Sequence, residues 1–96
     1  MFERILKRFR ELIEKQRFVV TVHAVDEMED GGFTVVDIEQ AILTGKIAQR
    51  QRDEETHEWK YLVEGWTLSE DTVVVVVKLS PTDKLVIITI YEESEQ

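Results

Sequence analysis

The chain has 96 residues, with 12 Lys+Arg against 20 Asp+Glu, a formal net charge of −8 and 43% hydrophobic residues. This length suits one domain with one modest core, and the lack of cysteine excludes a disulfide scaffold, a thiolate zinc site and a cysteine nucleophile. The acidic balance excludes a protein that is basic overall, the usual character of a general nucleic-acid binder.

From the N-terminus, Phe2, Ile5, Leu6, Phe9, Leu12 and Ile13 recur at helical spacing, which predicts an amphipathic helix over 2–16. Phe18–Val22 reads as a short extended piece. His23–Asp30 reads as a helix ended by Gly31-Gly32. Thr34 is placed to cap a helix over Val35–Thr44, with Asp37 completing a capping box and Gly45 at the C′ position. Four strands follow, at Lys46–Arg52, His57–Trp66, Thr72–Leu79 and Lys84–Tyr91, rich in β-branched and aromatic residues. Their short links, Asp53–Thr56, Leu68–Asp71 and Ser80–Asp83, predict antiparallel hairpins. Val73–Val77 is apolar on both faces and reads as a central strand, and Pro81 falls in a hairpin loop. The predicted fold class is α+β, with N-terminal helices packed on one face of a four-stranded antiparallel β-sheet.

The longest apolar runs, Val73–Val77 and Leu85–Ile88, fall far short of the ~20 residues of a membrane helix. The opening segment Met1–Arg8 has no signal-peptide apolar stretch. These features predict a cytoplasmic single domain over 1–91, a loose tail over 92–96 and no membrane partner.

The charge is segregated. Residues 1–18 hold six cations against three acids, and residues 19–45 hold six acids and no Lys or Arg. Residues 46–60 hold Lys46, Arg50, Arg52 and Lys60 against four acids, and residues 61–96 hold seven acids against Lys78 and Lys84. With four-residue loops at Asp53–Thr56 and Ser80–Asp83, Lys46, Arg50, Arg52, His57, Trp59 and Tyr61 share one open face. Cations interleaved with aromatics suit base stacking and phosphate pairing, and equally suit snorkelling arginines on a bare strand. The same registers place Val73, Val75, Val77, Val86, Ile88 and Ile90 under the helices. They leave Val74, Val76, Lys78, Leu85, Ile87, Thr89 and Tyr91 on the other face.

His23, Asp26 and Glu27 share a helix face at i, i+3 and i+4, a weak metal pattern and an ordinary local hydrogen-bonding one. No G-x-S-x-G elbow or Gly-rich phosphate loop is present, so no nucleotide cofactor is implied. What remains is metal-free acid–base cleavage of an RNA phosphodiester. It needs a base for the 2′-hydroxyl, cations for the phosphorane and an acid for the leaving oxygen. His23, Lys60, Lys78 and Tyr91 are chemically able to share these catalytic roles.

The segment Val22–Met28 resembles the H-A-x-x-R-M signature of a small bacterial family, domain of unknown function 4258. Val35–Gly45 resembles its helix-then-Gly element, Tyr61–Gly65 its L-V-x-G strand, and Val86–Tyr91 its closing V-I-I-T-x-Y. The resemblance implies a RelE/BrnT/MqsR-type toxin, with a RelE-like fold that cleaves mRNA, often at the ribosome, and an antitoxin as partner. It makes His23, Thr89 and Tyr91 signature residues. Lys60 and Lys78 rest on chemistry alone, and Lys46, Arg50, Arg52 and Trp59, with Thr89, form the expected substrate surface. The signature continues H-A-x-x-R-M-x-x-R-G-I, and here Glu27 and Gly31 stand at its two arginine positions. Glu27 cannot make an arginine's bidentate phosphate contact. Two readings therefore stand side by side: a metal-independent endoribonuclease binding RNA or the ribosome, and an inactive relative that binds a protein. A structural homodimer is the third.

Overall fold

Leu85, Ile87 and Ile90 are all buried at 1% exposure or less, yet they are spaced two and then three residues apart on one strand. A regular strand turns alternate residues to opposite faces and cannot bury all three on one side. The computed structural model, which describes residues 1–93, meets this demand with a β-bulge. Val76 pairs with Thr89 and Val77 with Ile87, so Ile88 is the extra residue.

Among the described residues the elements are α1 (Glu3–Glu14), β1 (Phe18–Val20), α2 (Val22–Gly31), α3 (Val35–Thr44), β2 (Lys46–Arg52), β3 (Trp59–Trp66), β4 (Thr72–Leu79) and β5 (Leu85–Glu92). They form one five-stranded sheet in the order β1-β5-β4-β3-β2. The α+β class holds, but the four-stranded antiparallel sheet is corrected to a five-stranded mixed one. Phe18–Val20 pairs parallel with Leu85–Ile87, while the other neighbours are antiparallel. A three-residue strand is too short to show an alternation from which a sheet partner could be read.

The helices share one core with the sheet. Phe9, Leu12 and Ile13 of α1, Ala24 and Met28 of α2, and Ile38, Ala41 and Ile42 of α3 pack with Tyr61, Val63, Val75 and Ile87. Tyr61 meets Phe9 edge-to-face at 5.4 Å between ring centroids. Thr21 caps α2, accepting from the Ala24 N–H at 3.1 Å, and Gly32 closes it in the left-handed conformation at φ 74°. The predicted capping box is present: the Asp37 N–H donates to Thr34 Oγ1 and the Thr34 N–H to Asp37 Oδ2.

Gly45 corrects an expectation. It is extended, at φ −90° and ψ −169°, and not left-handed. Its need is space: a Cβ there would collide with the carbonyls of Glu64 and Ala41. Gly65 of β3 lies directly under the same Ala41 carbonyl, so at this point the backbones of α3 and β3 meet with no side chain between them. The Arg10 guanidinium fastens α1 to this junction, donating to Gly45 O at 2.8 Å and Ile42 O at 3.3 Å.

Both hairpin registers differ from expectation. Leu79 pairs with Leu85, so the β4–β5 loop spans 80–84, and the bulge then brings Leu85 and Ile87 under the helices. Val86 and Ile88, predicted for the core, face the other way and line a depression with Lys60 and Lys78. The β2–β3 loop spans 53–58, with His57 in the left-handed region at φ 62°. β5 extends to Glu92, and the Glu93 N–H donates to Thr72 O at 2.9 Å, so the first two residues assigned to a loose tail are held to the sheet. The rest of the expected tail, 94–96, lies outside the described residues. No helix among the described residues is long and apolar enough to cross a membrane.

Gly65→Ala is expected to destabilise the protein by about 2 kcal/mol or more, because the methyl group meets backbone that cannot rotate away. Urea unfolding should show a lower midpoint at an unchanged slope.

Candidate functional site

The face of the sheet away from the helices carries two lysines. Lys60 of β3 and Lys78 of β4 project into one depression of about 270 Å³, lined also by Thr21, Asp53, Thr56, Glu58, Val86 and Ile88. Both side chains are half-buried, and both are held by carboxylates of the β2–β3 loop. Lys78 Nζ lies 3.1 Å from Glu58 Oε1, and Lys60 Nζ lies 3.7 Å from Asp53 Oδ2. Two carboxylates thus face two ammonium groups, leaving the depression without net positive charge. The loop is tied down by Asp53, whose Oδ1 accepts the N–H groups of Glu55 at 2.9 Å and Thr56 at 3.1 Å. These backbone donors, Thr56 before Glu55, and then the charge of Lys60, lower the Asp53 pKa from its ordinary value.

His23 and Tyr91 do not line this depression. His23 is exposed at the start of α2, with Nε2 3.3 Å from Glu27 Oε1. The same Glu27 oxygen accepts the Ile90 N–H at 3.2 Å. That N–H lies where β5 has outrun its three-residue neighbour β1. Thr21 serves the adjacent groups: its N–H donates to Ile87 O at 3.1 Å and its hydroxyl to Ile88 O at 3.1 Å. Thr21 and Glu27 therefore close the free edge of β5. Glu27 has a structural task, satisfying a backbone donor of an otherwise open edge. Tyr91, 43% exposed, lines a groove with Glu27, Asp30 and Phe33, and its hydroxyl has no hydrogen-bond partner among the described residues. Thr89 pairs with Val76 on the lysine-bearing face.

The expected substrate surface divides. Arg50 pairs with Tyr61 and Arg52 with Trp59, so these four do share a face. It is the helix-covered face, as the contact of Tyr61 with Phe9 shows. The stripe emerges at its corner, beyond the start of α1, where the Arg50 guanidinium stacks 3.9 Å from the Trp59 ring centre and 6.0 Å from that of Phe2. Arg52 approaches the same indole at 5.5 Å. Lys46 leaves the stripe because a bulge at Ala48 turns it to the opposite face, where it lines a depression with Glu64 and Glu93. The Glu93 pKa is raised there, through a hydrogen bond with Glu64 first, with burial and the Glu64 charge adding to it. His57 belongs to the loop and not to the stripe. The structure thus brings Lys60 and Lys78 together and sets them on the other side of the sheet from Arg50, Arg52 and Trp59. Sequence reasoning missed Thr21, Asp53 and Glu58. The Asp53-x-x-Thr56 turn pattern was a usable signal for the loop, and nothing local pointed to the pairing of Glu58 with Lys78.

Glu27→Ala is expected to cost about 1 kcal/mol by removing the acceptor of the Ile90 N–H, with faster exchange of that amide as its local signature. Asp53 gives a pH dependence. Its lowered pKa means that its contribution is present above the ordinary carboxylate range, near ~4, and is lost as pH falls through the lower folded value. Amide signals of Glu55 and Thr56 should move in this acid window, and Asp53→Asn should abolish that movement.

No curated protein matches the chain, and no solved structure does. The family model described as "Domain of unknown function (DUF4258)" matches residues 20–92, from the end of β1 to the end of β5. This span takes in α2 with His23 and Glu27, the lysine-bearing strands and the Tyr91 strand, and the chain belongs to that family.

Proposed function

We propose that this chain is a cytoplasmic, RelE/BrnT-like toxin-type domain that does not cleave RNA and works as a protein-binding module, with an antitoxin-like segment as its partner class. One observation carries this reading: Lys60 and Lys78 are each paired with a carboxylate of the β2–β3 loop. A phosphodiester gains negative charge on the way to the phosphorane, so a cleavage site must offer it cations. Here a phosphate would have to displace Asp53 and Glu58 before meeting a free ammonium group. The proton-transfer groups are placed no better, since His23 is paired with Glu27 and neither it nor Tyr91 enters the lysine depression. The net charge of −8 adds a repulsive background for any polyanion.

A second reading, a metal-independent endoribonuclease, is favoured by the sharing of one depression by Lys60 and Lys78. The two readings separate in a cleavage assay run with chelator on free and ribosome-bound mRNA. The wild-type protein is expected to leave both intact. Cleavage that disappears in Lys60→Ala, Lys78→Ala or Tyr91→Phe would overturn the binding-module reading and establish the enzyme.

A further inference from the structure

The two edges of the sheet differ in length and in what lies beside them. On the β1–β5 side the edge strand β1 is only three residues long, and Thr21 and Glu27 satisfy the backbone groups of β5 that lie beyond it. On the other side, β2 is the terminal strand for seven residues, and six of its residues other than Ile47 are exposed. Among the described residues no hydrogen bond is made to its outer edge, although Phe2 and Leu6 lie beside its first residues. The Asp53 N–H donates inward to Glu58 O at 2.8 Å. Strand alternation then turns the N–H and C=O of Gln51 inward and those of Arg50 and Arg52 outward.

This edge is also locally basic within an acidic chain. Lys46–Arg52 holds three cations and no acid. Arg50 and Arg52 stand two residues apart, so their side chains lie on one face, ordered against Trp59. Cations on an edge strand oppose pairing with a second copy, because antiparallel β2 strands would bring like charges together. They favour a strand with acids at i and i+2. Arg50 already occupies a face of the Trp59 indole at 3.9 Å, so that face is not free to stack a nucleobase.

We infer that the β2 edge receives an extended, acidic segment of a partner protein as a sixth strand, with alternate carboxylates of that strand on Arg50 and Arg52. This inference rests on the protein-binding reading above and adds the surface and the chemistry of the partner. Main-chain bonds to Arg50 and Arg52 supply the pairing, and the two arginines select acidic over neutral or basic strands.

The test uses the full chain and three probes. These are a capped eight-residue peptide alternating Glu and Val, the same peptide with Lys for Glu, and a single-stranded oligouridine of eight nucleotides. The acidic peptide is expected to shift and protect the amides of Arg50 and Arg52, while the Lys peptide leaves them unchanged. Arg50→Glu with Arg52→Glu should weaken the acidic peptide at least tenfold and give the Lys peptide measurable affinity. The milder pair Arg50→Gln with Arg52→Gln, checked for an unchanged unfolding midpoint, should weaken it severalfold. The inference is overturned if the acidic peptide leaves the β2 amides unmoved at millimolar concentration, if both peptides bind alike, or if the oligouridine alone shifts them. RNA cleavage by the wild type would remove the non-catalytic reading while leaving the peptide result to stand by itself, so the two failures are distinguishable.

Discussion

The burial of Leu85, Ile87 and Ile90 in one core is the constraint on which the rest of the molecule depends. Their spacing forces one extra residue into β5, and the bulge at Ile88 assigns every neighbouring side chain to a face. Three apolar side chains gain full burial, worth roughly 1.5–3 kcal/mol each, against the loss of about one ladder hydrogen bond, a smaller term. The consequence reaches the candidate site directly. Val86 and Ile88 are turned out of the core and form part of the wall beside Lys60 and Lys78.

The same segment gives Glu27 its place in the structure. β5 outruns β1, and its bulged region offers backbone groups to α2. A carboxylate can accept the Ile90 N–H, whereas a guanidinium carries only donors. The acid therefore closes an edge that an arginine would leave open, and it holds His23 at 3.3 Å on its other side. Glu27 thus serves as a structural acceptor for β5.

Charge is distributed by the same economy of pairing. Three cations of the basic N-terminal stretch are absorbed by the fold: Arg8 on Glu11 and Asp83, Arg10 on the end of α3, and Arg17 on Thr82 O. Lys60 and Lys78 are absorbed by the β2–β3 loop. Arg50 and Arg52 are ordered by an aromatic ring, not by an acid, and so keep their charge available. A molecule at −8 therefore presents its ordered positive charge on one sheet edge, which fits recognition of another acidic chain better than grip on a polyanion buried in a cleft.

Much of the fold was legible from residue order alone. Helical spacing located α1, Thr34 with Asp37 located the start of α3, and β-branched runs located four of the five strands. The histidine signature and the closing V-I-I-T-x-Y element pointed to the family. These signals are local, because caps and periodicities are satisfied within a few residues of chain. The short links also gave the antiparallel order of β2 to β5, whereas the parallel pairing of Phe18–Val20 at the sheet edge, the role of Gly45 and the faces of Lys46, Val86 and Ile88 were decided only by the tertiary structure. Loop length and parity predict a register only when no strand carries an extra residue. Bulges at Ala48 and Ile88 are selected by what the opposite layer must bury, and that is a property of the whole core, not of the strands that hold them.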